Sequence, residues 1–298
     1  MVVLSAERRS RTQEQVTNPS AKAASASRQS YGAAVGAAVE AIYYTDPLCC
    51  WSWAFEPQWR LLRYAFAGRL AWRYRMGGML RSWKVYGDPV NAIHRPAQMG
   101  PLWLQAHHIS GMPLDVRIWT EDQPSSSWPA CILFKAAELQ SSLAAELILR
   151  RLREAVMTKR RNVARHEVLC ELIDACAEAY PDVIDPDRLR RDMAGEVARA
   201  HFMDDVKDAR FRQIGRFPAL VIRRPRSVGT LIIGWRPFDA LLETVRRVVP
   251  ELGAGRRPAD EEEYRSFWPQ ANLCELKVAL GSAAAASQSA ADPLCPPG

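Results

Sequence analysis

Ala41-Ile42-Tyr43-Tyr44-Thr45-Asp46-Pro47-Leu48-Cys49-Cys50-Trp51-Ser52-Trp53 is the stretch on which the reading of this chain turns. A short β-branched and aromatic run stops at Asp46-Pro47, because proline has no N–H to give to a strand ladder. Two cysteines follow, and Trp53, Ala54, Pro57, Leu61, Leu62, Ala65 and Phe66 then recur at helical spacing, a run that extends to about Arg69. The pattern predicts a strand feeding a helix that begins at Cys49. The first N–H groups of a helix lack internal partners and its dipole favours negative charge there. A thiolate at that place is expected to be stabilised, its pKa falling from about 8.5 to roughly 3.5–7.5.

Working outward, residues 70–76 (LAWRYRM) alternate apolar with polar and end at Gly77-Gly78, a second strand. Strand, helix, strand makes one right-handed βαβ unit with parallel strands. Residues 79–128 carry Pro96, Pro101, Gly111, Pro113 and Pro124 among four tryptophans, which predicts irregular structure with short helices lying over the cysteine loop. A strongly helical pattern runs from Pro129 to about Met203, with Asp185-Pro186 reading as an N-cap followed by proline at the first helical position. Two apolar runs, 217–222 and 230–234, form a hairpin around Pro225, and a helix is predicted over 238–249. The domain expectations are a disordered tail at 1–38, a folded domain at 39–250 with a helical insertion at about 129–205, and a mostly flexible extension at 251–298 with one helix near 264–280.

Composition bounds the class. With 298 residues, 48% hydrophobic and 24% charged, the chain can bury a full core. No apolar run is long enough for a membrane span and the first forty residues lack a secretory apolar block, so a cytoplasmic protein with no membrane partner is expected. Seven scattered cysteines do not form a disulfide framework and read mostly as reduced core thiols, Cys170 and Cys176 included. The net charge of +7 is spread over Arg pairs in many segments without a nucleic-acid-binding motif, so no nucleic-acid partner is expected. His107-His108 point apart and no Cys/His spacing suits zinc, which predicts no metal site.

Several motifs together resemble the DsbA-like branch of the thioredoxin superfamily. They are Asp46-Pro47-Leu48-Cys49 with Trp51 and Trp53, Met76-Gly77-Gly78, Trp128-Pro129-Ala130 with Lys135-Ala136-Ala137-Glu138, and Gly215-Arg216-Phe217-Pro218. The wording is similar to the cytosolic FrnE-type dithiol-disulfide isomerases and YjbH-type adaptors; kappa-class glutathione transferases and 2-hydroxychromene-2-carboxylate isomerases are more distant. The resemblance implies an α/β class, a thioredoxin-like fold with a DsbA-type all-helical insertion, over about residues 41–249. It further implies that Pro218 is cis and that its loop, with Phe217, faces the active cysteine and binds substrate.

One departure from the family pattern bears on mechanism. The Cys-x-x-Cys loop reads here as Cys49-Cys50-Trp51-Ser52, so the resolving cysteine is replaced by Ser52. A dithiol enzyme frees its mixed disulfide with its second cysteine. With Cys49 alone as nucleophile, an external thiol such as glutathione, or a second substrate thiol, has to close the cycle. Ser52 is read as a hydrogen-bonding partner of the thiolate. Cys50 is a secondary candidate, disfavoured because adjacent cysteines form a strained ring and diverge on a helix. Trp51 and Trp53 are read as lining a substrate groove, with ordinary packing beside a helix start as the alternative. The sequence thus leads to a thiol-disulfide oxidoreductase or isomerase acting on a thiol- or disulfide-containing protein or peptide, with glutathione as co-substrate and no tightly bound cofactor. A non-catalytic protein-binding adaptor and a glutathione-dependent isomerase or transferase are the alternatives. The repeat Asp292-Pro293-Leu294-Cys295 near the end of the chain is read as coincidence.

Overall fold

Strand β1 (Val39–Thr45) lies between β2 (Leu70–Met76) and β3 (Ala219–Arg223), with β4 (Gly229–Ile233) on the far edge, in a computed structural model that describes residues 37–281. The expectations for residues 1–36 and 282–298, the second Asp-Pro-Leu-Cys included, fall outside the described residues. β1 pairs parallel with β2, Val39 opposite Leu70, and antiparallel with β3, which pairs antiparallel with β4. A strand covered on both faces reads as a near-continuous apolar run, and β1 is buried from Ala41 to Thr45. β2, at an edge, keeps its alternation.

The helix after Cys49 is two helices, not the single run expected. α1 (Cys50–Ala54) and α2 (Glu56–Ala65) meet at Phe55, with Pro57 in the first turn of α2, where its missing N–H is tolerated. Between β2 and the next helices the chain is more ordered than its prolines suggested: α3 (Met99–Ser110) packs against α1 and ends on Gly111 at φ 71°, and α4 (Ile118–Glu121) is a single turn. Pro101 falls in the first turn of α3 and so leaves it intact.

Five helices then follow without a strand: α5 (Trp128–Gln140), α6 (Ser142–Thr158), α7 (His166–Ala179), α8 (Pro186–Ala194) and α9 (Glu196–Phe211). Their starts are written in local chemistry. Ser141 accepts from the Ala144 N–H, and Asp185 accepts from Arg188 at 2.9 Å with Pro186 behind it. α10 (Phe238–Val248) covers the hairpin side. No helix among the described residues is long and apolar enough to cross a membrane.

The core gathers aromatic rings in tilted and edge-to-face pairs: Tyr43, Trp59, Trp72, Tyr74 and Phe134 lie within 5.1–6.2 Å of their neighbours, centroid to centroid. Behind it lies a buried ionic network. Glu56 pairs with Arg60 (3.0 Å) and Arg153, Arg153 reaches Thr45 Oγ1, and Arg63 grips Glu146 with both guanidinium nitrogens.

The network extends into the described part of the C-terminal extension. Residues 250–280 form α11 (Glu261–Phe267) and α12 (Leu273–Leu280), and α12 packs on α2. Glu275, fully buried, pairs with Arg150 (3.1 Å) and Arg60 (3.0 Å), while Asn272 and Glu275 cap α12 reciprocally. An ion pair taken out of water has to be met from both sides, which holds α12 in place.

Candidate active site

Asp46 shapes the loop that carries Cys49. Its Oδ1 accepts from the Leu48 N–H (2.9 Å), its Oδ2 from the Met79 N–H (2.7 Å) and the Ser127 hydroxyl (2.8 Å), and its own carbonyl accepts from Cys49 N–H (3.1 Å). One buried carboxylate therefore joins the end of β1, the turn after β2 and the start of α5. Burial pushes its carboxyl up, against these hydrogen bonds, which pull it down. The Cys131 thiol stands 3.6 Å from the same oxygen.

Cys49 is the N-cap of α1, in extended backbone, with its sulfur accepting from the Ser52 N–H at 3.4 Å. Across the gap, the thiol donates to the Phe217 carbonyl at 3.4 Å, and the Phe217-Pro218 peptide bond is cis. Gly77 makes this approach possible, because a Cβ there would lie 2.0 Å from Phe217 Cζ. Gly78, at φ +60°, lets the turn close.

The sulfur lies at the wall of a cleft of 1210 Å³, lined also by Trp51, Tyr86, Trp128, Phe217 and Trp235. Cys49 is nevertheless only 4% exposed. Burial pushes its thiol up, with the Asp46 charge adding to the rise, while the Ser52 hydroxyl and N–H pull it down. Burial thus works against the lowering expected from the helix N-terminus. Alkylation of Cys49 by iodoacetamide, followed on the Cys49 peptide by mass spectrometry, is expected to climb about tenfold per pH unit through neutrality and to level off only above the ordinary thiol midpoint of about 8.5. A plateau already reached by neutral pH would overturn the burial argument.

The other candidates separate. Ser52 is fully buried; its N–H donates to the Cys49 sulfur at 3.4 Å, while its Oγ has no hydrogen-bond partner among the described residues. Trp51 and Phe217 are half-buried on the cleft wall, and Pro218 is buried behind Phe217. Trp53 does not line the cleft; it is 1% exposed, its indole N–H donates to Pro113 O (2.9 Å), and Arg150 stacks 4.8 Å over its ring. One residue position on a helix turns a side chain by about 100°, so Trp51 and the residues beside it face different surroundings. Cys50 borders the same cleft but is only 2% exposed and packs in the core, and burial pushes its thiol well up, with the neighbouring Cys49 charge adding to it. Cys170, read as a core residue, is part-exposed, 3.4 Å from His166 Nε2; Cys176 is fully buried. Tyr86 and Trp235 escaped the sequence reading because they come from segments with no motif, and only the fold brings them to Cys49. Among the described residues there is no cluster of three or more His, Cys, Asp or Glu able to hold a metal ion.

The family model described as Thioredoxin matches residues 43–241, two thirds of the chain, from within β1 through the insertion to β4. The chain belongs to this thioredoxin family. Within the thioredoxin family it is similar to the ClpXP adapter protein SpxH of Halalkalibacterium halodurans, 26% identical over 207 residues, 69% of this chain and 66% of that protein. This thioredoxin-family chain thus spans just under two thirds of that relative's length. The SpxH of Bacillus subtilis is 26% identical over 233 residues, 77% of this chain and 73% of that protein. Among solved structures, the cytosolic disulfide reductase DsbM of Pseudomonas aeruginosa shares the fold at a TM-score of 0.55 and 22% identity, over 70% of this chain and all of that one.

Proposed function

We propose that this chain carries out thiol-disulfide exchange through Cys49 in the cytoplasm, with an external thiol completing each turnover. The observation that supports it is the position of one sulfur at an open cleft, 3.4 Å from the Ser52 N–H and 3.4 Å from the carbonyl before a cis proline. On a glutathione mixed disulfide of a peptide, the Cys49 thiol gives its proton to water and its thiolate attacks the glutathione sulfur. A Cys49-glutathione disulfide forms, the original S–S bond breaks, and the peptide leaves as thiolate with the electron pair. A glutathione thiolate then attacks the glutathione sulfur of that adduct, giving oxidised glutathione and free Cys49. Ser52 and its N–H stabilise the thiolate as it leaves in this second step.

Substituting the missing thiol tests the external resolution. Native protein mixed with one equivalent of glutathionylated peptide and no added thiol is expected to stop at the Cys49 adduct, seen by intact mass. Ser52→Cys is expected to expel the bound glutathione with its introduced thiol, shortening the adduct's lifetime by about tenfold or more. A native adduct that vanishes as fast without added thiol refutes external resolution.

A protein-binding adaptor is the second reading. It is supported by the burial that pushes the Cys49 thiol up and by the curated relatives, which carry the name ClpXP adapter protein. Under it, a purified client protein binds with the same affinity when Cys49 is replaced by serine, and native protein releases no thiol from the peptide.

A further inference from the structure

The cleft is charged as well as reactive. Arg81, Arg210, Arg216 and Arg236 line it, all exposed, against a single lining carboxylate, that of Asp88, a net +3. Asp88 is itself engaged by the Val90 and Asn91 N–H groups (3.1 and 3.2 Å). Among the described residues none of the four arginines forms an ion pair: Arg81 lies 5.1 Å over the Trp128 ring and Arg236 donates to the Trp235 carbonyl (2.8 Å). Their neighbours behave differently, with Arg212 pairing with Asp208 (3.1 Å) and Arg224 with Glu251 (2.7 Å).

Size and rim narrow the occupant. At 1210 Å³ the cleft exceeds the roughly 300–1,000 Å³ that holds a small ligand. Its lining includes the exposed apolar side chains of Val85 (71% exposed), Ile109 (45%) and Ile233 (40%). Ile233 ends β4, an edge strand of the sheet, whose outer backbone groups can pair with an extended chain. We propose that the cleft selects an extended, acidic segment of another protein, carrying a cysteine and an apolar residue beside it. This deepens the exchange reading and rests on it for the fate of the bound cysteine.

The test is fluorescence anisotropy with three labelled peptides of equal length, glutamate-rich, glutamine-rich and lysine-rich, each with serine in place of its cysteine, so that binding is read without covalent chemistry. The acidic peptide is expected to bind about tenfold or more tightly than the neutral one, with the gap closing at high salt. The quadruple variant Arg81→Gln, Arg210→Gln, Arg216→Gln, Arg236→Gln is expected to erase the preference. A control with four exposed arginines away from the cleft replaced (Arg191→Gln, Arg199→Gln, Arg226→Gln, Arg246→Gln) keeps it, separating the site from the overall charge of +7. Equal binding of the acidic and neutral peptides, loss of preference in the control, or displacement of the acidic peptide by glutathione as readily as by its own unlabelled copy overturns the proposal. Tight acidic binding with no exchange on the cysteine-containing peptide disulfide leaves the selection intact and refutes the exchange reading alone.

Discussion

Replacing Cys49 by serine abolishes release of peptide thiol from a glutathione mixed disulfide, leaving the background rate of glutathione in solution. A hydroxyl in that position cannot form the S–S bond on which the exchange depends, and no other described thiol takes its place. Cys50 borders the cleft but is 2% exposed and packs in the core, Cys131 is buried behind the loop at Asp46, Cys176 and Cys274 are buried, and Cys170 is not part of the cleft lining. Cys50→Ala is accordingly expected to keep most of the native rate. The measurement is thiol release with glutathione reductase and NADPH recycling the oxidised glutathione. A Cys49→Ser protein that turns over like the native one ends the catalytic reading, and a Cys50→Ala protein that loses all activity moves the nucleophile one residue along.

Replacing Glu275 by alanine is expected to destabilise the protein by about 2–4 kcal/mol, because it takes one of two carboxylates from each of two buried guanidiniums, Arg60 keeping Glu56 and Arg150 keeping Glu154. The same change removes the reciprocal cap of α12 with Asn272. In urea, with a slope of about 2–3 kcal/mol per M for a domain of this size, the midpoint falls by roughly 1–2 M. A control triple, Arg60→Met, Arg150→Leu, Glu275→Leu, deletes both signs of charge together and is expected to recover much of the loss, since an apolar replacement of a buried ionic cluster is often neutral. A midpoint that hardly moves in Glu275→Ala would show that α12 is attached only loosely. We infer from this network that residues 250–280 unfold with the domain rather than apart from it.

How far the chain could be read follows the range of the forces involved. The strand into Cys49 was legible because Pro47 and the β-branched run act over neighbouring residues, and the hairpin around Pro225 and the Asp185-Pro186 helix start were legible for the same reason. The Phe217-Pro218 loop came from resemblance, and its distance to Cys49, 168 residues back in the chain, came only with the fold. The break at Phe55 was missed because Pro57 suits a first turn as well as an interruption. Glu275 and its arginines were missed because charged residues at helical spacing read as a solvated face until a partner element covers them.

Trp51 and Trp53 show the limit within the site itself. Their identity and spacing are the same to a reader of the sequence, yet one lines the cleft and the other fills the core. By itself the sequence determined the order of the four strands, the place of the Cys49 sulfur at a helix start and the missing fourth-position thiol, all properties of residues close along the chain. The tertiary structure alone decided how deeply that sulfur is desolvated, which arginines surround it and whether the last helices belong to the fold. Those depend on burial and on charge, and both are set by neighbours that are distant in the chain and close only in space.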